Sequence, residues 1–113
     1  MRKSERAQQV WQVLVSAAYN RQVLTYGILA KLIGMGPGTL ARPLGCVMNY
    51  CEKNGLPPLT VLVVRKRTGT PGSGLETVKP RHTDEQRERV FRHNWFARLP
   101  PSAKHLQAAG DGF

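Results

Sequence analysis

At 113 residues, 41% of them hydrophobic, the chain has room for one domain with a modest core. It holds no run of roughly 18 apolar residues and no signal-peptide pattern, so neither a membrane span nor a secretory leader is expected. Seventeen Lys and Arg against seven Asp and Glu leave a net charge of +10, the electrostatic footprint of a phosphate-backbone partner. Solubility, or an acidic protein partner, is the plainer reading of the same surplus.

Taken in chain order, Ser4 is the expected cap of a first helix. Ala7, Val10, Trp11, Leu14, Val15 and Ala18 recur at the spacing of one helical face. Thr25 caps a second helix in "TYGILAKLIG", with Ile28, Leu29, Leu32 and Ile33 as its apolar stripe. Gly34 stops it, because glycine accepts the left-handed conformation at little cost. "MGPG" is a turn. A third helix runs through "TLARPLGCVMNYCEKNG", with Leu40, Leu44, Val47, Met48 and Cys51 on one side and Gly55 as its stop. Two short helices joined by a tight glycine turn make a helix-turn-helix unit, spanning about 25–54.

"LPPLTVLVVRKRTG" (56–69) begins apolar and ends in cations. Leu59–Val64 reads as a buried strand, "TGTPGSG" as a turn and "LETV" as a returning strand, giving a basic β-hairpin over about 59–78. A helix-turn-helix followed by such a hairpin is a winged helix. After Pro80, Thr83 caps a helix over about 83–98, with Asp84 and Glu85 at its positive end and Val90, Phe91, Trp95 and Phe96 folding back on the body. Residues 100–113 read as a flexible tail. The expected fold is therefore α+β and mainly helical. It comprises a single winged-helix domain over 1–99 with a β-hairpin wing and an extra C-terminal helix.

The chemistry-bearing candidates are few. Cys46 and Cys51 lie five apart, about 140° around a helix, a spacing that suits neither a metal site nor a disulfide. A reduced, cytoplasmic setting follows, with the nucleoid as the location of a DNA-bound form. "GTPGSG" lacks the Gly-Lys-Ser/Thr ending of a nucleotide-binding loop. His93 beside Asn94, with His82 well upstream, makes no metal site. No cofactor is expected. Arg87, Arg89, Arg92 and Arg98 either extend a basic surface or interleave with Glu85 and Glu88 as a solvated face.

The stretch "LTYGILAKLIGMGPGTLARPLGCVM" resembles the DNA-binding domain of O6-alkylguanine-DNA alkyltransferases and alkyltransferase-like proteins. The matching elements are Leu24-Thr25-Tyr26-Gly27-Ile28-Leu29-Ala30 and Ala41-Arg42-Pro43-Leu44-Gly45, and the resemblance covers roughly residues 5–75. In that family a Pro-Cys-His-Arg-Val-Val segment supplies the acceptor thiolate. Aligning its two valines on Val63-Val64 puts Thr60 at the nucleophile and Val61 at its histidine. A threonine hydroxyl without an adjacent base is a poor nucleophile, so the resemblance implies a protein that is not an enzyme.

What the resemblance leaves is DNA handling, with the third helix entering the minor groove. Arg42 matches the family's arginine finger and Tyr26 the residue that helps rotate the target nucleotide. Ala41, Gly45 and Cys46 offer the slim surface that a groove about 6 Å wide demands. Arg42 as an ordinary phosphate contact and Tyr26 as a packed helix-start residue are the alternatives. Pro43 departs from the family, which carries a small hydrogen-bond donor there. The expected DNA-binding set is Tyr26, Thr39, Ala41, Arg42, Gly45, Cys46 and Asn49, with Arg65, Lys66 and Arg67 on the wing. The partner would be double-stranded DNA, including damaged or modified duplexes, with the C-terminal helix as a surface for a protein partner and no membrane contact. Two rivals stand beside this: a protein-interaction or regulatory module, such as one encoded by a mobile element, and a residual enzyme using Cys46 or Cys51.

Overall fold

The computed structural model describes residues 2–66 and 82–111. Helix α1 (Lys3–Tyr19) is followed by strand β1 (Leu24–Thr25) and helix α2 (Tyr26–Ile33). Then come helix α3 (Ala41–Lys53), strand β2 (Val63–Val64), helix α4 (Thr83–Arg92) and helix α5 (Ala103–Asp111). The described chain is thus mainly helical, with one small sheet.

Helix α1 is the spine. Ala7, Val10, Trp11, Leu14, Val15 and Ala18 are all buried, and α3, α5 and the Leu59–Leu62 turn pack against it. Its start differs from expectation. The helix begins at Lys3 with Arg2 as the N-cap residue, and the Arg2 N–H donates to the Glu5 carboxylate at 2.9 Å. Ser4 therefore sits inside the first turn. At the far end Arg21 adopts a left-handed φ of 55° and makes a two-pronged contact with Glu88 of α4, both distances 3.0 Å.

Thr25 caps α2 as its sequence predicts, its Oγ1 accepting from the Ile28 N–H at 3.1 Å, and Gly34 ends the helix at φ 72°. The apolar stripe turns out narrower than expected. Leu29, Ala30 and Ile33 are buried, while Ile28 and Leu32 are 50% and 61% exposed. One face of a two-turn helix has room for only the first set.

Leu59–Leu62 is a 3₁₀ turn, not a strand. All four of its side chains are buried, and it wedges among α1, α3 and α4. A strand turns alternate residues to opposite faces, whereas this segment meets helices on every side. The Pro58 carbonyl, accepting from the Val61 N–H at 3.0 Å, closes the turn. Only Val63 and Val64 are extended, and they pair in parallel with β1, Leu24 opposite Val63 and Thr25 opposite Val64. A parallel pair requires a crossover, here supplied by α2 and α3. The hairpin partner expected at "LETV" lies outside the described residues; of the expected wing, only β2 and the exposed Arg65 and Lys66 are described.

The C-terminal third also differs. Helix α4 stops at Arg92, with a separate 3₁₀ turn over Trp95–Ala97. His82 is the N-cap residue, and Thr83 is buried with its hydroxyl unpartnered. Trp95 is buried against Trp11, ring to ring at 5.6 Å, and its indole N–H donates to the Val90 carbonyl at 2.8 Å. Phe96, expected inside, is 68% exposed. Beyond it, what reads as a loose tail is helix α5, with Leu106 and Ala109 buried against α1 and α3. Ser102 starts it, its Oγ accepting from the His105 N–H at 3.1 Å.

Candidate nucleic-acid interface

The interface expected from the sequence is built on α3, and the local structure at its start is set by three residues. Thr39 turns back to donate its hydroxyl to the Gly36 carbonyl at 2.7 Å, fixing the approach to the helix. Leu40, fully buried, anchors the helix start, and the Leu44 N–H donates to its carbonyl at 3.0 Å. Pro43 is the third helical residue, where its missing N–H would have had no intrahelical acceptor. The departure at Pro43 is thus accommodated without breaking the helix.

Buried residues run round much of α3. Leu44, Val47 and Cys51 face the core cluster around α1. Helix α5 packs along α3 as well, and a Cβ built on Gly110 would lie 2.5 Å from Cys46 Sγ. Glycine is required at that position by close approach, not by an unusual φ. Cys46 is accordingly 2% exposed and Asn49 6%. Neither presents a face to a DNA duplex in this arrangement, which corrects their assignment to the contact set. The Asn49 Oδ1 has no hydrogen-bond partner.

Ala41 and Arg42 remain exposed and Gly45 half-exposed, and a Cβ added at Gly45 would meet nothing within 4 Å. This leaves a narrow strip of small residues beside a cation. The Arg42 guanidinium is held by Asp111 of α5 at 2.6 Å, both side chains about half exposed. A cation in the first turn of a helix opposes the helix dipole, and a carboxylate placed there offsets it. Asp111 does so here.

Tyr26 opens α2, half-buried against the core. The parallel register sets Thr25 against Val64, so Arg65 and Lys66 continue from the sheet on the side where Tyr26 and Gly27 begin α2. Both are exposed; Arg67 lies outside the described residues. Two groups of expected contacts therefore exist as groups, Arg42 with Ala41 and Gly45, and Tyr26 with Arg65 and Lys66. Between residues 2 and 66 the only carboxylates are Glu5 and Glu52. Several others sit on α4, where Glu88 pairs with Arg21 and Arg92, and Asp84 with Arg87.

Neither cysteine is set up for covalent chemistry. Burial pushes the Cys51 thiol up to about 11, and the Cys46 thiol is raised by burial against the opposing pull of Arg42. A protonated thiol under a packed helix is a weak nucleophile. Thr60, at the acceptor position of the resemblance, is 2% exposed with Val61 beside it. Among the described residues no cluster of His, Cys, Asp and Glu could hold a metal ion, and no helix is long and apolar enough to cross a membrane.

Sequence reasoning missed Asp111 and Gly110. The signal was present in Ser102, a capping residue straight after two prolines, and in the Leu106–Ala109 spacing that follows. Comparison with protein-family models, with curated proteins and with solved structures returned no match for the chain. The resemblance to the alkyltransferase DNA-binding domain rests on its motif residues.

Proposed function

We propose that the chain is a non-catalytic duplex DNA-binding protein of the alkyltransferase-like type. It would use the Ala41–Arg42–Gly45 strip of α3 in the minor groove and Arg65 and Lys66 on the flanking backbone. The observation that carries this reading is the open side of Gly45 next to exposed Arg42. A backbone with no side chain in front of it can approach a groove floor, and a guanidinium at its edge can reach a phosphate or enter the base stack. The carboxylate-poor stretch before residue 67 supports it, since a phosphate backbone is attracted by unbalanced cations. The buried, protonated thiols support the absence of alkyl transfer.

The test is fluorescence anisotropy with two duplexes that differ only in one O6-methylguanine, at several salt concentrations, for wild type and Arg42→Ala. Tighter binding to the modified duplex that disappears in the variant would make the chain a lesion sensor. Equal binding that fades steeply with salt would make it a general DNA binder. Absence of binding at low salt would defeat the reading.

A second reading, a protein-interaction module, is favoured by the apolar side chains left outside. Ile28 and Leu32 are exposed one turn apart on α2, and Tyr19 stacks edge-on with exposed Phe96 at 6.0 Å. It predicts weak DNA binding and loss of a protein partner with Ile28→Ser/Leu32→Ser.

A further inference from the structure

The cation on which the proposed interface turns is already engaged in the free protein. Asp111 of α5 holds the Arg42 guanidinium at 2.6 Å. The packing around the pair delivers that carboxylate to that place. Arg42 and Cys46 stand one turn apart on the same face of α3. The Gly110 backbone lies so close to Cys46 that a Cβ there would come within 2.5 Å of its Sγ. Leu106 and Ala109, both buried, fix α5 on the core, and the residue after Gly110 then meets the guanidinium.

The two helix ends favour the same pairing. Asp111 is the last residue of α5, where that helix presents its negative pole to a cation. Arg42 lies in the first turn of α3, whose positive pole favours an anion beside it. A carboxylate oxygen accepting from a guanidinium also has the charge and acceptor character of a phosphate oxygen. Exposure decides whether the pair can open. Both side chains are about half exposed, and an ion pair in contact with water is held weakly. Arg42 can leave through its own side-chain torsions while Leu106 stays buried and α5 stays in place.

We propose that Asp111 belongs to the DNA-binding site as an internal competitor. Its carboxylate occupies Arg42 in the free protein as a phosphate oxygen would, and duplex DNA must displace it. The proposal rests on the DNA reading and adds to it a residue that sets affinity. Binding at Arg42 is then the exchange of one anion for another and not the capture of a free cation.

The experiment is fluorescence anisotropy with one unmodified duplex over a salt series. Wild type, Asp111→Asn, Arg42→Ala and Arg42→Ala/Asp111→Asn are compared, each well below its own melting temperature. Asp111→Asn should bind about two- to fivefold tighter than wild type, the range of an exposed ion pair. Salt weakens the internal pair as well as the external one. Wild type should therefore lose affinity with salt less steeply than Asp111→Asn, by up to about 0.9 in log–log slope, one phosphate contact. Most of the gain should be absent in the Arg42→Ala background. Asp111→Glu, which keeps the carboxylate, should bind like wild type; a gain equal to that of Asp111→Asn would mark a disturbed α5 and overturn the proposal. Equal affinity of wild type and Asp111→Asn for a duplex that both bind would overturn it too, and leave the DNA reading standing. So would an equal gain with and without Arg42, the mark of net charge alone. If no variant binds at low salt, the DNA reading fails and the proposal falls with it.

Discussion

On one flank of α3 the helix is closed over by α5, so tightly that a single added carbon at Gly110 would collide with the Cys46 sulfur; on the other, a carbon added at Gly45 would enter open space. Both flanks are lined with small residues, and only what lies opposite distinguishes them. A small residue on a helix records a close approach without saying by what. In the sequence, Ala41, Gly45 and Cys46 read as one slim surface. In the fold, Cys46 serves the approach of α5, whereas Ala41 is exposed and Gly45 faces open space.

The largest blow to the closed flank is Leu106→Ala. Leu106 is fully buried, and truncating such a side chain costs about 2–5 kcal/mol. The melting temperature should fall sharply, and Cys46 should become reactive to a thiol reagent at neutral pH while Cys51, in the central core, lags behind. Equal reactivity of the two cysteines would show that α5 does not shield Cys46 selectively.

Gly110→Ala should follow, destabilising by about 1–3 kcal/mol through overpacking. Because the clash is with the sulfur, Cys46→Ala should relieve most of it. Double-mutant analysis by denaturant unfolding reads that coupling directly, and simple additivity would contradict the contact.

On the open flank the sign reverses. Gly45→Ala should raise stability by about 0.5–1 kcal/mol, since alanine is the better helix former and nothing is displaced. If a duplex seats against this side, the same substitution weakens DNA binding. Stability and affinity moving in opposite directions, measured by thermal melting and anisotropy on one variant, would single out Gly45 as a contact and not a packing residue.

The smallest effect lies away from both flanks. The Arg21 guanidinium, hydrogen-bonded to Glu88, holds that carboxyl below its ordinary value, with Arg92 adding to the effect. A depressed carboxyl contributes stability that is present above its unfolded value, about 4.3, and lost as pH falls through the lower folded value. Glu88→Gln should therefore melt slightly earlier than wild type at pH 7, and the difference should vanish in acid. The pair is exposed, so 0.5 M salt should shrink it further.

Much of the helical frame was legible because its signals are local. The face of α1, the Thr25 cap and the Gly34 stop each depend on residues within a turn or two, and the structure repeats them. Leu59–Leu62 was misread because a short, fully apolar run looks the same whether sheets or helices cover it. Ile28, Leu32 and Phe96 were counted as core on hydrophobicity, although residues outnumbered the surface available to bury them. Helix α5 was missed because "GDGF" at its end reads as irregular chain, and because its apolar face is only Leu106 and Ala109. For the site, Arg42 and Gly45 could be read from a motif. Asp111 matters only through Arg42, a neighbour far away in the chain, and no pattern in one sequence carries that.

Trp11 and Trp95 are the only two tryptophans, and both belong to one edge-on cluster that Tyr50 completes. The protein's intrinsic fluorescence is therefore a gauge of a single junction, where α1 meets α3 and the turn after α4. Circular dichroism at 222 nm instead samples every helix, α5 included. In a denaturant titration the two signals should superimpose for as long as the fold comes apart in one step. Any ellipticity lost ahead of the emission shift measures helix melting outside that junction.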